Sequence, residues 1–224
     1  LKVAIEESTG LNLYWFFEQW VYKAGYPIFA VEPRWEEASR TLFVHCRQVQ
    51  ATDSLTGIFR MPVEIEVTAG STVRTHRVWI DSRDTVFAFG AAVRPSVVIF
   101  DRGLLKEVKV TQPLEDWLTQ VEKAANPIDR LRALEHLAEV DDTASVIPAI
   151  IRRARTDPFA PVRSEAVQML GMMTGGFGQV RPAVRQALLE AADDTDASVR
   201  TAAVPAPSWS TSARQESSPA PLHW

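Results

Sequence analysis

Hydrophobic positions change period along this chain, and each change marks a new kind of element. Residues 1–7 read as helix, and Leu13, Phe16, Phe17 and Trp20 then fall on one face of a short amphipathic helix. Asn12 is its N-cap candidate, and Gly25 followed by Pro27 is a stop signal. Residues 31–35 (Val-Glu-Pro-Arg-Trp) read as a connector. From Arg40 the period drops to two, with Leu42, Val44 and Cys46 on one side and Phe43, His45 and Arg47 on the other. Asp53, Ser54, Thr56 and Gly57 form a turn-rich loop. Residues 59–68 place Val63, Ile65 and Val67 inward and Glu64 and Glu66 outward. Ala69, Gly70 and Ser71 close a hairpin into 72–80, and strands follow at 85–89 and 97–100. Asp101, Arg102 and Gly103 turn the chain into 104–110. About six short strands with frequent turns argue for a sandwich of antiparallel sheets.

From Pro113 the strand signal stops. Leu114, Trp117, Leu118 and Val121 form a helical stripe behind that proline. Three starts then look alike: Asn126-Pro127 with Leu131-Arg132, Asp157-Pro158 with Val162-Arg163, and Asp194-Thr195 with Val199-Arg200. Their arginines lie 31 and 37 residues apart, within the range of helical repeat arrays. Residues 143–155, with Val146, Ile147, Ile150 and Ile151, supply a second helix after the first start. Gly175 and Gly176 break the chain before another helix at 180–192. After Val204 the composition turns to Pro, Ser, Thr, Arg and Gln without period, so 205–224 reads as a disordered tail. The third start lacks a second helix and leaves an apolar face to be covered. The expected organisation is α+β: helices over 1–30, a β-sandwich over 31–112, helical repeats over 113–204, and the tail.

Composition narrows this picture. Hydrophobic content of 46%, charged content of 23% and a net charge of −4 describe an ordinary globular chain. No basic patch suggests nucleic acid, and no apolar run is long enough to span a membrane. Seven tryptophans, with Trp15, Trp20 and Trp35 near one another in sequence, point to a large packed core near the N-terminal end. Cys46 sits in an alternating strand, reads as a buried structural thiol, and cannot form an intrachain disulfide alone. The chain opens on Leu1 already in a helical pattern and reads as an internal or C-terminal piece of a longer protein. The sharp change near Val204 also suits a truncated or frame-shifted product.

The run Gly10-Leu-Asn-Leu-Tyr-Trp-Phe-Phe-Glu-Gln-Trp-Val-Tyr-Lys-Ala-Gly-Tyr-Pro27 resembles a segment of the aminopeptidase N family of zinc metallopeptidases, the gluzincin aminopeptidases. In that family a similar segment is the last helix of the thermolysin-like catalytic domain, and a small β-sandwich and a helical superhelix follow. The resemblance extends in element order to about residue 204. The helix pairs after Pro113 resemble HEAT repeats, which bury a shared core by stacking. The resemblance implies a non-catalytic C-terminal portion that braces an upstream catalytic domain and walls off its peptide cavity. Zinc would belong to that upstream domain, with peptides as the parent's substrate class. The alternative is a HEAT-repeat scaffold from an inactive relative, its repeat surface binding a protein partner.

The chemistry of such a site is not encoded here. A zinc aminopeptidase sets two histidines at i and i+4 on one helix so that both rings reach one metal, with a glutamate between them as base. His45, His76, His136 and His223 include no such pair; position 140, four beyond His136, is Val140. The family's Gly-Ala-Met-Glu-Asn run is absent, and Tyr22 belongs to the end of the aromatic helix rather than to a catalytic tyrosine's surroundings. No catalytic, cofactor-binding or metal-binding residue is therefore assigned. Single serines lack the G-x-S-x-G elbow, and Gly175-Gly176-Phe177-Gly178 reads as a helix–helix loop, not a phosphate cradle. Asp141-Asp142 and Asp193-Asp194-Thr195-Asp196 lack calcium-loop spacing and suit helix N-termini. Arg152, Arg153 and Arg155 read as a solvated helix end.

Overall fold

The structure, a computed structural model, describes residues 1–101, 105, 107–140, 143–173 and 181–204. Expectations for Arg102, Gly103, Asp141, Asp142, the 175–178 glycine run, His223 and the tail lie outside these residues. The chain divides into two compact units, Leu1–Asp141 and Asp142–Trp224.

The first unit opens with helices α1 (Lys2–Thr9) and α2 (Tyr14–Trp20). The N-cap of α2 is Leu13 rather than Asn12, though Asn12, one residue before it, still accepts from Tyr14 N through Oδ1 at 3.0 Å. Only Phe17 of the aromatic stripe is buried; Phe16 remains 41% exposed. Trp20 of the stripe packs on Phe59 with centroids 4.9 Å apart, and Trp15, off the stripe, stands edge-on to Trp79 at 5.3 Å. Gln19 clamps the same junction, accepting from Arg60 N at 2.8 Å and donating to Arg60 O. Gly25 then turns the chain at φ +84°, where a Cβ would stand 2.6 Å from the Thr56 side chain. Both the backbone angle and the space demand glycine there.

Residues 31–35 are not a connector. They belong to β1 (Ile28–Glu36), which pairs antiparallel with β2 (Thr41–Gln48) along its whole length. Pro33 cannot donate to a ladder. It is tolerated because β1's other neighbour, β7 (Glu107–Val110), pairs only as far as Val31. Pro33 thus lies beyond that ladder.

The remaining strands are β3 (Met61–Ala69), β4 (Thr72–Ile80), β5 (Asp84–Gly90) and β6 (Val97–Phe100). One sheet runs β5-β2-β1-β7 and the other β4-β3-β6. All pairings are antiparallel except β1 with β7, which is parallel. Alternation is as the sequence dictates, with Leu42, Val44 and Cys46 meeting Val63, Ile65 and Val67 in one core. Phe29 and Phe100 join across it with centroids 5.3 Å apart. Trp35 packs against this same core, so the tryptophans adjacent in sequence serve different contacts.

Helices α3 (Leu114–Lys123) and α4 (Pro127–Ala138) complete the first unit, α3 packing on β6. They begin the helical segment in sequence yet cluster with the sheets. The second unit contains α5 (Thr143–Thr156), α6 (Ala160–Met173), α7 (Pro182–Ala191) and α8 (Ala197–Ala203). Its core draws on Val146, Ile150, Val162, Val167, Leu170 and Val199, each fully buried. The fold class is α+β.

The repeat starts share a device that corrects their alignment. Arg163 donates from Nη1 to Asp157 O, six residues back, at 2.9 Å. Arg200 does the same to Asp194 O at 2.7 Å and to Thr195 O at 3.0 Å. In the first repeat this role falls to Arg130, on Ala124 O and Ala125 O at 2.8 and 3.0 Å. Arg132, aligned on its proline, reaches instead to Asp101 O at 3.1 Å. Matching prolines put the first start two residues out of register, because Ala124 stands where later repeats carry aspartate.

Candidate functional site

The described histidines, His45, His76 and His136, take separate structural positions. His45 Nε2 lies 2.7 Å from Asp84 Oδ1 on the β2–β5 ladder. His76 stacks on Phe89 and His136 on Trp117, each with centroids 4.2 Å apart. Among the described residues, no three His, Cys, Asp or Glu side chains come together as metal ligands. Cys46 is buried, and desolvation pushes its thiol up to about 12, far from the thiolate a nucleophile needs. Tyr22 is 65% exposed beyond the end of α2.

The acidic run at the third repeat start is spent on structure. Asp194 binds Arg163 through both oxygens, at 2.9 and 2.8 Å, and accepts from Asp196 N. Asp196 caps α8 by accepting from Ser198 N at 2.8 Å. The Arg163 hydrogen bonds hold the Asp194 carboxyl down at about 2. The arginines of α5 are more than a solvated end. Arg155 forks onto Glu190 of α7 at 2.6 and 3.2 Å, and Arg153 lies 3.6 Å from Asp157.

Sequence reasoning missed two polar sites inside the first unit. One is the amide of Gln48, buried because it continues the inward series of β2. It accepts from Phe59 N at 2.8 Å and donates to Phe59 O and Ser82 O at 2.8 and 3.1 Å. A glutamine at an inward strand position was the available signal. The other is a cleft of about 450 Å³ between the sheets' outer strands and α3–α4. Its floor is Phe100, Val108, Val110 and Trp117; its rim carries Lys109, Arg132, Glu135 and Glu139. Trp117 is 5% exposed, and its indole Nε1 has no hydrogen-bond partner among the described residues. Neither Glu135 nor Glu139 belongs to any ion pair among them. The volume suits a small ligand or a few residues of peptide, and the rim carboxylates supply polar recognition.

Comparison with known proteins agrees with the helical reading. A family model described as HEAT repeats matches residues 114–206. No curated protein matches the chain. Among solved structures, aminopeptidase A of Legionella pneumophila, crystallised with aspartic acid, superposes with a TM-score of 0.58 at 14% identity. The match covers 84% of this chain and 24% of that one, so the chain spans about a quarter of its length. At that identity the likeness is one of fold. No helix among the described residues is long and apolar enough to cross a membrane.

Proposed function

We propose that this chain is the non-catalytic C-terminal portion of a zinc metallo-aminopeptidase-like protein, bracing an upstream catalytic domain and walling its peptide cavity. The observation that carries the reading is the succession of helices, two sheets and HEAT repeats, shared with the Legionella enzyme's fold over 84% of the chain. Support also comes from the N-terminal helices, which hold Leu1, Val3, Leu11, Tyr14 and Phe16 exposed. So much apolar surface in about twenty residues suits a face packed against a further domain. Zinc and the peptide-cleaving groups belong, on this reading, to that domain.

Sequencing the gene upstream of the codon for Leu1 is the test. A helix with His-Glu-x-x-His and a further glutamate downstream would supply ligands and base. A domain of that type with the ligands replaced would make the parent a non-catalytic relative. A start codon directly before Leu1 overturns the reading, as does chelator-sensitive hydrolysis of aminoacyl anilides by this chain alone.

A scaffold role is favoured by one observation. In the second unit Ile147, Pro148 and Ile151 line a groove bordered by Arg152, Arg155 and Arg181. Such a groove suits an acidic amphipathic segment. Failure of an acidic helical peptide to protect 144–156 from hydrogen exchange would count against it.

A further inference from the structure

The cleft of the first unit is bounded by the terminal strand of each sheet, β6 of one and β7 of the other. Thr111 N donates to Val31 O at 2.8 Å. Given the parallel register of β1 and β7, the alternation of a strand turns the backbone groups of Glu107 and Lys109 toward β1. Those of Val108 and Val110 turn outward, toward the unpaired edge. An open edge offers donors and acceptors in the spacing of an absent strand.

The geometry points to an extended basic peptide as the occupant, added as a strand along β7 in this cleft. Two observations meet there. The outward N–H and C=O groups of Val108 and Val110 supply main-chain pairing, the mode by which an edge captures an extended segment. Glu135 on α4 and Glu139 at its C-cap stand one turn apart at the rim and make no ion pair among the described residues. Lys109 is offset by Glu107 at 3.2 Å, whereas Arg132, donating to the neutral Asp101 O, keeps its charge. Two glutamates against that one arginine leave the rim net negative, and the complementary side chain is a lysine or arginine. A volume of about 450 Å³ seats about three residues. This stands independently of any upstream domain.

The test uses the full chain and a fluorescein-labelled peptide, Val-Lys-Val-Arg-Val, read by anisotropy. Three comparisons accompany it: the same peptide N-methylated at alternate residues, a peptide with glutamates for its basic residues, and the protein variants Glu135→Gln/Glu139→Gln and Val110→Pro. The variants lie at a solvent-facing rim and at an N–H without a ladder partner, so each should fold; the far-ultraviolet spectrum checks this. Saturable binding is expected, lost on N-methylation and with the acidic peptide. Binding should weaken about tenfold in the double glutamine variant and lose much of its salt dependence, as for removal of two rim charges. Val110→Pro should abolish it. Equal binding of the N-methylated peptide, or unchanged affinity in a folded Val110→Pro, overturns strand addition. Indifference to peptide charge overturns the assignment of a basic ligand, and absence of binding overturns the site.

Discussion

Replacing Arg163 by methionine removes a side chain that both closes its own repeat start and grips the next. The guanidinium donates to Asp157 O at 2.9 Å and forks onto Asp194 at 2.9 and 2.8 Å. The pair is largely sheltered, with side-chain exposures of 13% and 15%. Hydrogen bonds to charged groups contribute about 1.5–3 kcal/mol each in net terms. The depression of the Asp194 carboxyl from 3.8 to about 2 corresponds to about 2 kcal/mol of preference for its ionised form. Residual solvent screening reduces the coupling between the two side chains to about 1.5 kcal/mol. Arg163→Met should cost about 2–3 kcal/mol, since it also frees a loop carbonyl. A double-mutant cycle with Asp194→Asn isolates the pair. Hydrogen exchange of the α6 and α8 amides in the intact chain reads it locally. The sign with pH follows from the lowered value. The contribution is present above the ordinary carboxylate range and fades as pH falls from about 4 through 2. The thermal stability gap between the parent chain and Asp194→Asn should close over that window. A coupling below about 0.3 kcal/mol, or a gap indifferent to pH, refutes the argument.

Gln48→Leu should destabilise the sandwich by about 2–4 kcal/mol, because Phe59 N, Phe59 O and Ser82 O all lose their buried partner; urea unfolding by tryptophan fluorescence measures it. Gly25→Ala combines a left-handed backbone angle with a Cβ 2.6 Å from Thr56 and should cost about 1–3 kcal/mol, seen as faster exchange at α2 and residues 53–57. Asn126→Ala removes the acceptor for Ile128 N at 3.0 Å and should cost about 1 kcal/mol by thermal melting. Cys46 should resist iodoacetamide at pH 8 until the sandwich unfolds; modification of the folded chain would contradict its burial.

The sandwich was legible where one face of a strand is buried, because alternation then writes itself into β2 and β3. It was illegible at β1, where a proline sat in a strand whose ladder stops short of it. The aromatic helix was placed correctly and its contact side in part. Phe17 and Trp20 of the expected stripe pack inward, whereas Phe16 is left to solvent and Trp15 and Gln19, off the stripe, make contacts. Repeat starts were visible through Asp-Pro and arginine, yet the first was misaligned because what recurs is a backbone closure, not a proline. The cleft left no trace in the sequence. An orphaned indole and two unpaired glutamates are facts of surroundings, and position 117 reads in the chain as one more apolar point on a helical stripe.

Arginines 130, 163 and 200 each tie down the loop of their own repeat with their own side chain. A corner fixed from within travels with its helix pair, so a copy inserted elsewhere would arrive already folded at its entrance. What Arg163 asks of a successor is a carboxylate at the place of Asp194. A start like the first, with Ala124 at that place, would leave such an arginine nothing to fork onto. The closure can therefore be copied anywhere, whereas the grip passes only to a start that carries the aspartate.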